Sequence, residues 1–364
     1  MSDIDSLTWQ LEPHTLAKHI ILEEYLKGWF PIVSSWANRI VYLDGFAGPG
    51  SYSNGEDGSP VIAIRTADQH ILKKNFKEIQ FAFIEKDPKR ARHLNKILSE
   101  KFPNLQSNLQ YEVLGSEFAP ALESTLDGIE SRGAKLAPTF AFLDPFGFSG
   151  LPMRLIARML AYNSCEVLVT FMSGFVKRFT DELRAETLNE LYGTTEWEKV
   201  NQLPSGQRQN FLVDLYLQQL KKVGGATYVR TFEMIGENNQ TIYHLVYGTK
   251  HPKGMEVMKK AMQKADRRGT YRFSDRTDTN QTFLTDLIDN DNWVATAANI
   301  VYQHFKGQSV RGESVKTYVI TETPYLYKST ILSTLEKSST PKISVEGRSR
   351  AFTYPDDCII NFSK

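Results

Sequence analysis

Three acids, each closing a run of β-forming residues, are the side chains here whose type and spacing suggest chemistry. They are Asp44 in "IVYLDGFAGPGS", Glu85 in "IQFAFIEKD" and Asp144 in "PTFAFLDPFGFSG". Three glycines, Gly45, Gly48 and Gly50, follow the first acid within six positions. Glycine accepts positive φ and lets a ligand approach the main chain, so this stretch reads as a binding turn after a strand. A dinucleotide fold wants G-x-G-x-x-G, with a pyrophosphate on the following helix N-terminus. Here the spacing is reversed, and Asp44 would repel a pyrophosphate. An anion at that place suits a cation, and S-adenosylmethionine carries both an ammonium and a sulfonium. Glu85 is placed to accept both ribose hydroxyls, as an acid does in either nucleotide class. The bland alternative is that Asp44 only caps its turn.

The third acid has its own signature. Asp144-Pro145 followed by aromatics resembles the (Asp/Asn/Ser)-Pro-Pro-aromatic motif of amino-methyltransferases acting on adenine or cytosine. In that chemistry the acid and the carbonyl beside the proline accept hydrogens from an exocyclic amine, and the aromatic stacks on a flipped base. Phe146 replaces the second proline and Gly147 the aromatic, which leaves Phe148 as the stacking ring. The alternative is a tight turn with Phe146 and Phe148 in the core. After the third strand, Ser116 and Glu117 stand where an acid meets the adenine amine, or where serine caps a helix with an acid in its first turn. Lys18 and His19 lie on the first helix, with Lys18 expected at the surface. Lys177 and Arg178, just past the fifth strand, are expected near the cleft mouth, facing phosphate or solvent. The seven histidines form no HxxxH or HxH pair, so no metal site is expected.

These residues need elements to hold them, and the chain is long enough to supply them. It has 364 residues, 41% hydrophobic and 23% charged, enough for two or more domains with a large core. A net charge of +1 announces no global basic field, so any nucleic-acid contact must come from a local patch. Cys165 and Cys358 have no CxxC or Cys/His neighbour and read as reduced core residues. No apolar run approaches a membrane span, and "MSDIDSLTWQ" lacks the features of a signal peptide, so a cytoplasmic protein is expected.

Apolar spacing predicts a first helix over His14–Phe30, stopped by Pro31, and then a strand at Ile40–Leu43. Ser59 and Pro60 read as cap and first-turn residue of a helix burying Val61, Ile64 and Ile71. Strands at "IQFAFIE", "LQYEVL", "PTFAFLD" and "CEVLVTFM" then alternate with helices, which implies a mostly parallel sheet covered on both faces. Ligands in such sheets bind at the carboxyl ends of the strands, where all three acids fall. A helical insertion spans about 175–222, "TYVRTFEM" and "TIYHLVYGTK" form a hairpin, and a helix ends at Gly269. The first domain is expected over 1–274. In the second, 278–364, helices around Phe283–Ile288, Trp293–Phe305, Glu313–Thr321 and Tyr325–Glu336 precede two strands around a basic turn. That order is a winged helix-turn-helix pattern, with Lys328 by its last helix and Arg348 and Arg350 on the wing.

"YLDGFAGPGSY", "GSPVIA", "FAFIEKD" and "FAFLDPFGFSGLPM", in this order, resemble the three-Cys-motif partner protein family, TcmP. The tail, with "ETPYLYKSTILSTLEKSS" and "GRSRAFTYPDDCIINF", is similar to that family's winged-helix domain. The resemblance spans nearly the whole chain. It implies a Rossmann-like class I methyltransferase fold, an S-adenosylmethionine site and a three-Cys-motif protein, similar to radical S-adenosylmethionine enzymes, as partner. The family's cofactor motif transfers to Asp44, Gly45, Phe46, Ala47, Gly48 and Gly50, with Glu85, Lys86 and Asp87 after the second strand. One departure is the spacing from Asp44 to Glu85, about 40 residues where about 20 is usual. The expected function is methyl transfer to a nitrogen of nucleic acid, DNA or RNA. The rival is a non-catalytic, cofactor-binding partner whose winged helix docks protein. An NAD-linked oxidoreductase trails both.

Overall fold

The computed structural model describes residues 8–178, 180, 182–266, 270–276 and 292–364. The expected helix at Phe283–Ile288 lies outside these residues, and the helix expected to run to Gly269 ends at Ala265. Two compact units divide the chain, Met1–Ala265 with Tyr271–Thr277, and Asp266–Thr270 with Asp278–Lys364.

In the first unit, strands and helices alternate through α1 (Pro13–Ser34), β1 (Arg39–Asp44), α2 (Ser59–Asp68), β2 (Glu78–Ile84), α3 (Pro88–Lys101), β3 (Leu109–Leu114) and α4 (Phe118–Glu130). They continue through β4 (Thr139–Leu143), α5 (Met153–Leu160) and β5 (Cys165–Phe171). Three helices follow in succession, α6 (Ser173–Val176), α7 (Ala185–Tyr192) and α8 (Ser205–Lys222). The unit closes with β6 (Tyr228–Ile235), β7 (Thr241–Thr249), α9 (Pro252–Ala265) and β8 (Arg272–Ser274).

The eight strands form one sheet in the order β3-β2-β1-β4-β5-β7-β6-β8. From β3 to β5 all neighbours are parallel, and β7 runs antiparallel between β5 and β6. This is a mixed α/β unit with a mostly parallel sheet, compatible with a Rossmann-like fold. Strand order reverses between β1 and β4, and the crevice outside the carboxyl ends at such a reversal is where open α/β sheets bind ligands.

Both faces of the sheet are covered, which is why its central strands are apolar without alternation. All five residues of β4 are buried. Phe140 meets the rings of Tyr25 and Trp29 on α1, at centroid separations of 4.6 and 5.9 Å. Ala141 and Leu143, on the opposite face, join a cluster with Leu122, Leu126, Leu155 and Ile156 of α4 and α5.

Several expectations need correction. Helix α1 does not stop at Pro31 but continues to Ser34. Proline deprives the carbonyl four residues back of its helical donor. His70 Nε2 supplies a replacement, 3.0 Å from the Lys27 carbonyl. Helix α2 ends at Asp68, so Ile71 lies beyond it and is 93% exposed rather than buried. On α1, Leu16 is exposed and Lys18, expected at the surface, is buried.

The second unit contains helices Asn292–Phe305, Gly312–Glu322 and Ser329–Glu336 and a three-stranded sheet in the order β10-β11-β9. These strands are β9 (Ser309–Arg311), β10 (Ile343–Glu346) and β11 (Ile359–Phe362). Sequence patterning anticipated two strands, because three residues are too few for alternation to register. The last helix begins at Ser329, not Tyr325, with Lys328 still extended. Val301, Val319, Ile331, Leu335, Cys358 and Ile360 are among its buried core.

Candidate functional site

Strand register brings the three acids together. Asp44 pairs with Phe83 of β2 and with Phe142 of β4, so Glu85 and Asp144 each stand two residues further along the neighbouring strands. All three therefore lie at one end of the sheet, beside the reversal of strand order.

The glycine turn is fastened to both neighbours of β1. Gly45 N–H donates to the Phe142 carbonyl at 3.0 Å, and Ala47 N–H to the Ile84 carbonyl at 2.9 Å. A Cβ on Gly45 would come within 2.6 Å of the Phe118 ring, so the turn presses directly on the start of α4. Gly48 and Gly50 have φ of +62° and +82°, where any other residue would be strained. Phe46 stacks obliquely on Phe118, 5.4 Å between centroids.

Asp44 is fully buried. Its carboxylate accepts from Ser59 Oγ at 2.7 Å and from the Phe46 amide at 3.2 Å. Ser59 is therefore not the cap of α2; Gly58 holds that position, and the Ser59 hydroxyl is spent on Asp44. Burial raises the Asp44 carboxyl to about 7, while the Ser59 and Phe46 hydrogen bonds hold it down; Asp144 adds to the rise and Lys18 opposes it.

Glu85 is also buried, and each of its oxygens accepts a backbone amide, Gly48 N–H at 2.9 Å and Asp87 N–H at 2.8 Å. A carboxylate offers about four acceptor sites, so two remain for hydroxyl donors. Asp87 in turn caps α3, accepting from Lys89 and Arg90 amides. Lys86, on the same turn, is exposed.

Sequence reasoning missed the partner of Asp144. Lys18, assigned to the surface, is only 5% exposed and its ammonium pairs with Asp144, whose side chain is 26% exposed. The same ammonium lies 5.4 Å from the Tyr243 ring, a second stabilising contact for a desolvated cation. His19 beside it is buried, and burial lowers its imidazole to about 3, with Lys18 adding to the fall, so it is neutral at physiological pH. The available signal was a lysine and a histidine placed next to the buried Ile21–Leu22 step of α1.

The Asp-Pro turn differs from expectation. Phe148 is buried in the core and packs 6.2 Å from Phe175, so it is not a ring free to stack on a base. Phe146 is 92% exposed. Gly147 at φ +116° makes the sharp turn that separates the two rings. Ser116 is half-buried and Glu117 exposed ahead of α4, where neither side chain caps the helix. Lys177 and Arg178 follow the short α6, with Arg178 exposed.

In the second unit, Lys328 is exposed, 4.9 Å from the Trp293 ring. Arg348 is not free for a ligand: it forks onto both oxygens of Glu336, which also accepts from Tyr354. Arg350 is exposed. Among the described residues, no helix is long and apolar enough to cross a membrane. No protein-family model matches the chain, and no curated protein matches it.

Proposed function

We propose that this chain is an S-adenosylmethionine-dependent methyltransferase acting on a nitrogen of a DNA or RNA base. The observation that carries the proposal is the convergence of Asp44, Glu85 and Asp144 at the carboxyl ends of three adjacent parallel strands, beside the switch in strand order. The sheet order with its antiparallel β7 supports reading the unit as a class I methyltransferase fold.

The residues present fit the cofactor. Glu85 keeps acceptor sites for two ribose hydroxyls, and the glycine turn presents bare backbone at the half-buried Gly48. Asp44, having no exposed surface, acts through its charge and by fixing the Phe46 amide rather than as a direct ligand. Ser116 and Glu117, past β3, would be the groups to meet the adenine amine. When bound, S-adenosylmethionine supplies an electrophilic methyl whose transfer needs positioning more than acid–base help. Asp144 and the Pro145 carbonyl would accept the two hydrogens of an exocyclic amine, with Lys18 first drawn off the Asp144 carboxylate. Phe146, exposed where Phe148 is buried, would stack on the base, and Lys177 and Arg178, just past α6, would meet phosphate. The second unit is read as a winged helix-turn-helix docking module, with Lys328 and Arg350 as its exposed cations.

One observation favours a second reading, a non-catalytic partner of a three-Cys-motif protein. The Asp144 carboxylate is already held by Lys18, as it would be in a cofactor-binding domain that has lost chemistry.

Calorimetry with S-adenosylmethionine and S-adenosylhomocysteine, on wild type and Glu85→Ala, tests the cofactor. Loss of two hydrogen bonds to a charged group should weaken binding at least tenfold, by roughly 1.5–3 kcal/mol each. Binding of neither ligand to wild type defeats the assignment. Tritiated cofactor with mixed DNA and RNA tests the chemistry. Asp144→Ala should bind cofactor and transfer nothing; no label in nucleic acid with wild type, with the three-Cys-motif protein present, leaves the partner reading standing.

A further inference from the structure

At the other end of the same sheet lies a pocket that the methyltransferase reading does not use. It has a volume of about 350 Å³, within the range of small-molecule sites. Tyr25, Trp29 and Val33 line it from one stripe of α1, Trp36 continues that wall from the turn just past the helix, and Val257 lines it from α9. Exposure rises from Tyr25 at 0% through Trp29 at 3% to Trp36 at 60%, so the aromatic wall runs from a buried floor to an open mouth.

Besides Tyr25, three titratable side chains line the pocket: Glu166, near the amino end of β5 and 5% exposed; His251, whose Nε2 lies 2.8 Å from the Asn163 carbonyl; and Lys253, an exposed side chain whose ammonium pairs with Glu256 at 3.0 Å. Among the described residues Glu166 forms no salt bridge. Tyr247 and Thr249 hydroxyls donate to one of its oxygens, at 3.0 and 2.6 Å, and Tyr25 donates to the other. That leaves acceptor capacity on the carboxylate. Gly254, in the first turn of α9, has no room for a side chain, since its Cβ would lie 2.2 Å from Glu166 Oε1. The start of α9 is thereby pressed against the acid, whose charge its dipole favours.

Among the described residues Glu166 is held by hydroxyls alone, behind tryptophan and tyrosine rings, while Lys253 is taken up by Glu256, and this arrangement matches one ligand chemistry. An anionic ligand would meet Glu166 in a low-dielectric wall, and a wholly apolar one would leave its spare acceptor sites unused. A protonated amine satisfies the carboxylate and is attracted by the ring faces. We propose that this pocket binds a small organic ammonium with an aromatic or aliphatic body, independently of the cofactor site at the opposite end of the strands.

The test is calorimetry at pH 7 with 2-phenylethylammonium and its neutral counterpart 2-phenylethanol. Wild type should bind the ammonium saturably and the alcohol at least tenfold more weakly, as expected for a hydrogen bond to a charged group. Glu166→Gln, which keeps the shape, should bring the ammonium down to the level of the alcohol. Trp36→Ala, at a 60% exposed position, should weaken the ammonium by roughly two- to fivefold. This variant decides if Glu166→Gln does not fold. Asp44→Ala should leave the affinity unchanged. No saturable binding of the ammonium, equal affinity for the alcohol, or full affinity in Trp36→Ala overturns the proposal. So does binding lost in Asp44→Ala but kept in Glu166→Gln, which would put the amine at the other end of the sheet.

Discussion

Asparagine at position 44 should make the protein more stable at alkaline pH. Burial holds the Asp44 carboxyl near 7 in the folded chain, against an ordinary value of 3.8. A carboxyl raised in this way binds its proton more tightly folded than unfolded, so stability falls as pH rises between those two values. From pH 5 to pH 7 the wild type loses about 1.4 kcal/mol per pH unit to this one group, and above 7 the loss levels off at about 2–3 kcal/mol relative to pH 5. Asparagine keeps an oxygen for the Phe46 amide, and the Ser59 hydroxyl can turn to accept from its amide group. Asp44→Asn should therefore escape the loss. The measurement is urea unfolding at pH 5, 6, 7 and 8.5, followed by tryptophan fluorescence, which reports mainly the first unit because Trp9, Trp29, Trp36 and Trp197 belong to it. Subtracting wild type from variant at each pH cancels groups that titrate alike in both. The difference should widen by about 2–3 kcal/mol from pH 5 to 8.5. A constant difference, or one that narrows with rising pH, refutes the reasoning.

Gly50→Ala should lower stability by about 2 kcal/mol or more, because its φ of +82° strains a Cβ that would also sit 2.6 Å from Leu94. Gly55→Ala, at φ +85° with nothing within 4 Å, should lose only the strain of about 1 kcal/mol, and equal losses in urea titrations would contradict the packing argument. In the second unit, Arg350→Glu in the full chain should weaken duplex DNA binding and flatten its salt dependence, read by fluorescence anisotropy. Arg348→Ala should chiefly lower the melting temperature by releasing Glu336 and Tyr354; a larger effect on DNA than Arg350→Glu would show that the Glu336 pair opens for phosphate.

Strands and acids were legible in the sequence for the same reason. A parallel strand buried on both faces must be an unbroken apolar run, and the first polar residue after it marks its carboxyl end, so Asp44, Glu85 and Asp144 could be placed without knowing their neighbours. Helix α1 was not legible in this way. It packs against α2 on one side, α9 on another and the sheet beneath, so buried positions occur almost all round it and no single stripe stands out. Lys18 consequently read as a surface cation. Pro31 misled because its usual effect was cancelled by His70, 43 positions away from the Lys27 carbonyl it caps. Phe146 and Phe148 could not be told apart by type, since only the backbone turn at Gly147 decides which ring goes in.

Lys18 pairs with Asp144 and acts on Asp44 only through its charge, and that imbalance makes a further property measurable. With Asp44 protonated, Lys18 and Asp144 balance; with Asp44 ionised, the cluster carries one uncompensated negative charge in a buried place. A bound cation would favour the ionised form and pull the Asp44 carboxyl below 7, so binding should expel a proton in the neutral range. Cofactor affinity should then rise with pH toward 7 and level off above it, once Asp44 is already ionised in the free protein. Calorimetry in buffers of different ionisation enthalpy counts the released protons directly, and the count should be greatest near pH 6 and vanish near pH 8.5. Asp44→Asn has no proton to expel and should show neither the release nor the rise in affinity. A wild type that binds S-adenosylmethionine with no proton release at pH 6 would show that the cofactor's positive charge does not reach Asp44, leaving that acid only its part in bracing the glycine turn.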